Sequence, residues 1–247
     1  MHLVPRSLYN NQPLTNLNDK MDFKAYFNSP AHADLTLCFG AHKLPAHKLL
    51  LIQGSDYFKA MLNSQFAEAR ASSITLEDDR PEAVNLLIST FYGHAAYNKQ
   101  AINPTADGLA ELTSVIDLYV TASKYLVPTL CSQIVDDFPE MLEAVAAGKE
   151  YSVNVVRASQ HVYKIHAGAA DELRLPIVSM IAANISEWQK DEKFYYLIAS
   201  QPELGVDIIR ALAGATSQPS AKKSGKAAEV ANAAENITVP RKRTRQR

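Results

Sequence analysis

An α+β fold, followed by an all-α extension and a basic tail without structure of its own, is what this sequence predicts. Three observations carry that reading. Residues 35–39 alternate, with Leu35, Leu37 and Phe39 to one side and Thr36 and Cys38 to the other. Most of the chain from Lys48 to Leu212 instead spaces its apolar residues by three and four, as helices do. After Gly214 large apolar side chains almost disappear, and such a segment cannot bury enough surface to offset its ordering entropy.

The elements follow in order. Residues 1–16 form a loose lead-in with Pro5 and Pro13, and a short helix is expected over Asn18–Phe27, ended by Asn28-Ser29-Pro30. Strand one turns at Gly40-Ala41 into a second strand, His42 to Ala46. Pro45 has no amide hydrogen, so that strand belongs at an edge or at a ladder position needing no bond. A helix starting near His47 breaks at Gly54. Ser55 then caps a second helix, whose Phe58, Met61 and Leu62 form a core stripe. Ser73 to Leu76 reads as a third strand. Asp79-x-x-Glu82 has the form of a capping box, with Pro81 in the first turn of a helix that stops at Gly93. Leu109, Leu112, Ile116 and Tyr119 mark a helix continuing to Tyr125, and Pro128 starts another that Pro139 is expected to close. Further helices run from Met141 to Leu212, with breaks at Gly148, Pro202 and Gly205.

Composition narrows the function classes. At 47% hydrophobic and 21% charged, the chain is an ordinary globular one. Its net charge of −1 hides an asymmetry. Residues 217–247 hold eight Lys and Arg against Glu229 and Glu235, a net of +6, which leaves −7 for residues 1–216. Cys38 and Cys131 stand far apart with no CxxC spacing, as expected of two reduced cysteines in the nucleus or cytoplasm. No signal-peptide core and no long apolar run is present, so no membrane partner is expected. Phosphate-binding glycine loops, a G-x-S-x-G elbow, H-E-x-x-H and a dinucleotide fingerprint are all missing. His42 and His47, and likewise His161 and His166, are five apart, whereas helical zinc pairs use four; core or capping roles fit them better. No enzyme activity, cofactor or metal is expected.

The segments Asp34-Leu35-Thr36-Leu37, Ala46-His47-Lys48-Leu49-Leu50-Leu51, Gly54-Ser55-Asp56-Tyr57-Phe58, Phe66-Ala67-Glu68 and Ala122-Ser123-Lys124-Tyr125 occur in an order and spacing that resembles the BTB/POZ domain. The resemblance covers residues 32–138 and implies a small sheet flanked by helical hairpins. Residues 139–214 resemble the helical region that follows the domain in fungal single-BTB proteins, and 215–247 form the tail. The family likeness implies a protein–protein interaction adaptor that homodimerises and recruits protein clients, in some members for a cullin-type ubiquitin ligase. A nuclear transcription or chromatin co-factor, with the tail on nucleic acid, is the alternative.

Candidate site residues follow from both readings. Met21, Phe23, Tyr26 and Phe27 form an apolar patch ahead of the first strand, suited to a dimer contact or to packing within the chain. Asp34 and Lys48 match a charged groove in some family members, or a structural ion pair. Val115-Ile116-Asp117 and Leu109-Ala110-Glu111 both fit the apolar-x-acidic triplet that the family associates with cullin docking. Arg241, Lys242, Arg243 and Arg245 form a basic cluster that fits nuclear import, a solubilising tail or phosphate contact. The nucleus is favoured over the cytoplasm.

Overall fold

The computed structural model describes residues 22–64, 70–147, 151–165 and 170–214. Met21, Phe66-Ala67-Glu68, His166 and the basic cluster Arg241, Lys242, Arg243 and Arg245 lie outside these.

The predicted hairpin is present as β1 (Leu35–Phe39) and β2 (His42–Ala46), joined antiparallel. β3 (Ser73–Leu76) pairs parallel to β1 on the other side, which puts β2 at an edge. Pro45 stands opposite Thr36, whose N–H points away to the Ser72 carbonyl at 2.9 Å, so the missing donor leaves no gap in the ladder. Leu35, Leu37, Phe39, Leu44, Ala46, Ile74 and Leu76 are buried on one face of the sheet. Thr36, Cys38, Lys43, Ser73 and Thr75 share the other.

Helices α1 (Lys48–Gly54) and α2 (Asp56–Leu62) cross over from β2 towards β3. Gly54 is required at their junction, because a Cβ there would sit 2.2 Å from the Phe91 ring. α3 (Pro81–Phe91), α4 (Ala106–Lys124) and α5 (Pro128–Ala146) follow. Between α4 and α5, Leu126 takes a left-handed φ of +53°. The amides of Leu126 and Val127 bond back to the carbonyls of Ser123 and Ala122, so α4 ends in a Schellman motif with leucine where glycine is usual. Pro139 does not close the unit as expected. It lies inside α5, on an exposed face, where the loss of one helical hydrogen bond does not stop the helix. α6 (Tyr151–Lys164), α7 (Asp171–Trp188), α8 (Glu192–Ala199) and α9 (Pro202–Leu212) complete the extension, and Gly205 is inside α9 rather than a break before it. Their buried residues, among them Val156, Val162, Leu173, Ile177 and Ile181, join Leu37, Phe58 and Phe138 in one continuous apolar cluster.

Four buried tyrosines and the half-buried Tyr97 tie these elements together. Tyr97 donates to Asp137, Tyr119 to Glu172, Tyr125 to Asp79 and Tyr163 to Asp207, at 2.7, 3.0, 2.7 and 2.8 Å. Tyr92 shares its hydroxyl with the backbone and ring of His47. Burial, more than any other cause, pushes all five phenols above their ordinary range, and the neighbouring carboxylates add to it. Tyr97 and then Lys99 hold the Asp137 carboxyl below the usual range.

The unfolded chain ionises its tyrosines near pH 10, whereas these five stay neutral when folded. The stability they contribute is therefore complete below about pH 10 and lost as pH rises above it. In an alkaline titration, five of the eleven tyrosines should ionise only as helical circular dichroism is lost. Tyrosinate absorbance that rises to completion over an intact helix signal would refute this.

Candidate protein-interaction surface

The strand-to-helix entry is built around Asp34, His47 and Tyr92. Asp34 Oδ1 accepts the Lys48 backbone N–H at 2.8 Å, so the acidic position caps α1 from before β1. The expected ion pair between the two side chains is thus replaced by a carboxylate-to-amide bond, which also favours the helix dipole. His47 is the N-cap residue of α1. Its Nε2 is 2.9 Å from the Ala31 carbonyl, an acceptor, and this assigns the ring proton to Nε2. Nδ1 then accepts from the Tyr92 hydroxyl at 2.9 Å, while that oxygen accepts the His47 backbone N–H at 3.1 Å. His47 thus stands at the N-cap position with its half-buried ring tied to Ala31 and Tyr92, and its side chain makes no cap bond.

Of the expected helix over 18–27, residues 18–21 lie outside the described residues, and the described part is a single 3-10 turn, Lys24–Tyr26. Within the described part, Phe27 packs its ring against Tyr92 and His94, at 5.6 and 5.4 Å between centroids, and Phe23 lies against the core. Tyr26 meets the His47 ring edge-on at 5.9 Å yet remains 37% exposed. Two of the three described members of the patch thus serve their own chain, and Tyr26 is its outward part.

Two residues on from His47, Leu49 is 72% exposed. No role for Leu49 follows from its motif. The signal lay in the run Leu49-Leu50-Leu51-Ile52: four consecutive apolar residues cannot share one side of a helix, so at least one must face outward. Leu50 and Leu51 take the core.

The cullin-type triplet needs correction. Val115 is 1% exposed and packed in the core, because its spacing from Leu112, Ile116 and Tyr119 puts it on the inner side of α4. Asp117 turns to its own chain, accepting from Arg80 Nη1 at 2.9 Å and bonding His161 Nε2 at 2.7 Å. It links the start of α3 to α6 of the extension. In the second triplet Leu109 is half-buried, whereas Ala110 and Glu111 are exposed.

Asp79 does not cap α3 as its spacing suggests. The N-cap of α3 is Arg80, without a side-chain cap, and Asp79 instead accepts from Tyr125 at 2.7 Å and Lys124 at 2.8 Å. Cys131 is part-buried and its thiol is pushed up to about 11, chiefly by burial, so it is not a ready nucleophile. Among the described residues, no group of three or more His, Cys, Asp or Glu is placed to hold a metal ion. No described helix is long and apolar enough to cross a membrane.

Removing Asp117 leaves His161 and Arg80 facing an empty position across α3, α4 and α6. Asp117→Ala should lower unfolding free energy by about 2 kcal/mol, read as a lower urea midpoint at unchanged slope. An unchanged midpoint would show that this contact does not hold the extension.

The BTB/POZ domain family matches residues 23–142. Kelch-like ECH-associated protein 1A of Danio rerio is 30% identical over 151 residues, which is 61% of this chain and 21% of that protein. Kelch-like protein 4 of Homo sapiens is 32% identical over 108 residues, 42% of this chain and 15% of its own length. A BTB/POZ domain-containing protein of Arabidopsis thaliana is 27% identical over 172 residues, 70% of this chain and 61% of that one. The chain thus spans less than two thirds of each of these relatives. The match begins at the aromatic turn, takes in the three-stranded sheet and the helices α1 to α4, and ends within α5. Residues 23–142 form a BTB/POZ domain.

Proposed function

We propose that this chain is a non-enzymatic adaptor that pairs with a second copy through the start of α1 and presents its remaining surfaces to protein clients. BTB/POZ domains mediate protein–protein interaction, and a single observation carries the pairing. Leu49 stands 72% exposed in the first turn of α1, beside the Tyr26–His47 ring contact. A leucine so placed gains about 2 kcal/mol when covered, and a two-fold contact covers it twice with one surface. Met21, Phe23, Tyr26 and Phe27 are assigned to the same contact, with Tyr26 as its outward member.

Recruitment to a cullin-type ligase is the finer part of this proposal. Since Val115 is buried and Asp117 bonds its own chain, the triplet Leu109-Ala110-Glu111, with Leu109 half-buried and Ala110 and Glu111 exposed, is the one offered for it. The basic cluster Arg241, Lys242, Arg243 and Arg245 is assigned to nuclear import. The alternative, a chromatin co-factor, is favoured by the net +6 of residues 217–247. It requires DNA affinity that falls steeply with salt and vanishes when that segment is removed.

The pairing is tested by sedimentation equilibrium of the full chain. Leu49→Asp should weaken self-association at least tenfold, which is about 1.4 kcal/mol, at unchanged circular dichroism. A wild-type chain that sediments as a monomer, or a variant that dimerises equally well, would sink the proposal.

A further inference from the structure

One surface groove has a proline inside the helical run on each of its walls. Pro139 of α5 and Pro176 of α7 both line it, with Glu143 and Ala146 on the first wall and Leu175 and Met180 on the second. Its volume is about 530 Å³. A proline nitrogen carries no hydrogen, so the carbonyls four residues upstream, at Val135 and Glu172, lose their helical donors. Leu175 is 58% exposed, and the lining is mainly apolar.

The first wall is also one-signed. α5 carries Asp136, Asp137, Glu140 and Glu143 and no lysine or arginine. Lys99 reaches Asp137 and Glu140, at 3.1 and 2.7 Å, while Asp136 and Glu143 are exposed. Of these acids Glu143 lines the groove itself, and Glu140, Asp137 and Asp136 continue along α5 beyond it, so the apolar floor leads onto a run of acceptors. The groove suits an extended segment whose apolar side chains are followed by cations, and it disfavours an acidic one.

The chain itself holds such a segment, Ile237-Thr238-Val239-Pro240-Arg241-Lys242-Arg243. When extended, Ile237 and Val239 share one face, and three cations follow at once. α9, which ends at Leu212, packs against α7, the second wall. The roughly 25 residues from there to Ile237 span about 25–30 Å on average if unstructured, enough to bring the segment back over its own helices. Covalent linkage gives it an effective concentration in the millimolar range for that groove.

We infer that residues 237–243 bind the α5/α7 groove of their own chain, with Ile237 and Val239 on the apolar floor and Arg241, Lys242 and Arg243 against the acidic side chains of α5. Groove and basic cluster then mask one another. Any ligand of either must first displace the tail, whichever use the cluster has.

Carbodiimide cross-linking of the full-length chain at low ionic strength tests this, because it joins Lys242 to a carboxylate only at contact distance. The expected product is an intrachain amide from Lys242 to Asp136, Glu140 or Glu143. Its yield should fall at least about fivefold at high salt, in Leu175→Ser, and in a double variant Ile237→Ser with Val239→Ser. Leu175 is exposed, so an unchanged melting curve should accompany the loss in Leu175→Ser, and the same control is applied to the double variant. Links from Lys242 spread over remote acids such as Glu82 and Glu192, or a yield indifferent to Leu175→Ser, would overturn the inference. So would links found only between isotope-labelled and unlabelled chains, which would assign the groove to a second copy's tail.

Discussion

Tyr125 is the residue on which the domain turns. Its ring stacks on Phe58 of α2 at 5.3 Å, its hydroxyl donates to Asp79 ahead of α3, and its carbonyl accepts from Ser55 Oγ at 2.6 Å. Ser55 is itself the N-cap of α2, accepting the Phe58 N–H at 3.1 Å, so one hydroxyl serves the start of α2 and the end of α4. Helix ends leave backbone groups without internal partners, and a buried end needs side chains to supply them. Here the supply is reciprocal: the ring that packs on α2 belongs to the residue whose carbonyl α2's cap satisfies. Asp79 is only 5% exposed at its side chain, and Lys124 and Tyr125 both donate to it, which makes its burial tolerable. A carboxylate in that position without those two donors would oppose the fold.

The same device, a tyrosine hydroxyl on an acceptor far along the chain, recurs where the extension meets the domain and again inside the extension. Tyr119 of α4 reaches Glu172 of α7, and Tyr163 of α6 reaches Asp207 of α9, with the Arg174 guanidinium over the Tyr163 ring at 4.5 Å. His161 and Arg80 add a second link through Asp117. α5 runs through Pro139 for a different reason, its own packing. Ile134, Phe138, Met141, Leu142 and Val145 form one unbroken stripe, and the apolar surface it buries outweighs the single hydrogen bond that the proline removes.

Local patterns were legible in the sequence; tertiary partners were not. Alternation placed β1, and Pro45 placed β2 at an edge, because both are properties of the strand itself. Ser55 was readable as a cap for the same reason. Asp79 was misread because Asp-x-x-Glu with proline between has the form of a local cap, while its true partners stand 45 and 46 positions on, at Lys124 and Tyr125. Val115 and Asp117 sit in a triplet whose pattern carries no information on which way the helix faces. The helical period through Leu112, Ile116 and Tyr119 did carry it, and it turns Val115 inward. Asp34 and Lys48 are expected to meet through their charges, whereas the bond between them uses a backbone amide, to which residue type is silent.

The extension changes what the domain can offer. The family match ends at residue 142, within α5, and by itself that helix is an amphipathic rod with an acidic outer side. α7 packs beside it and supplies Leu175, Pro176 and Met180. Only then does a two-walled groove exist, with Glu143, Ala146 and the whole second wall lying beyond the domain match and Pro139 within it. Self-association at Leu49 draws on α1, deep within that match, whereas the groove requires residues from both parts of the chain. A substitution that loosens Asp117 from His161 therefore acts on the groove without touching it, because the α6 helix held by that bond is packed against α5 and α7, the two walls.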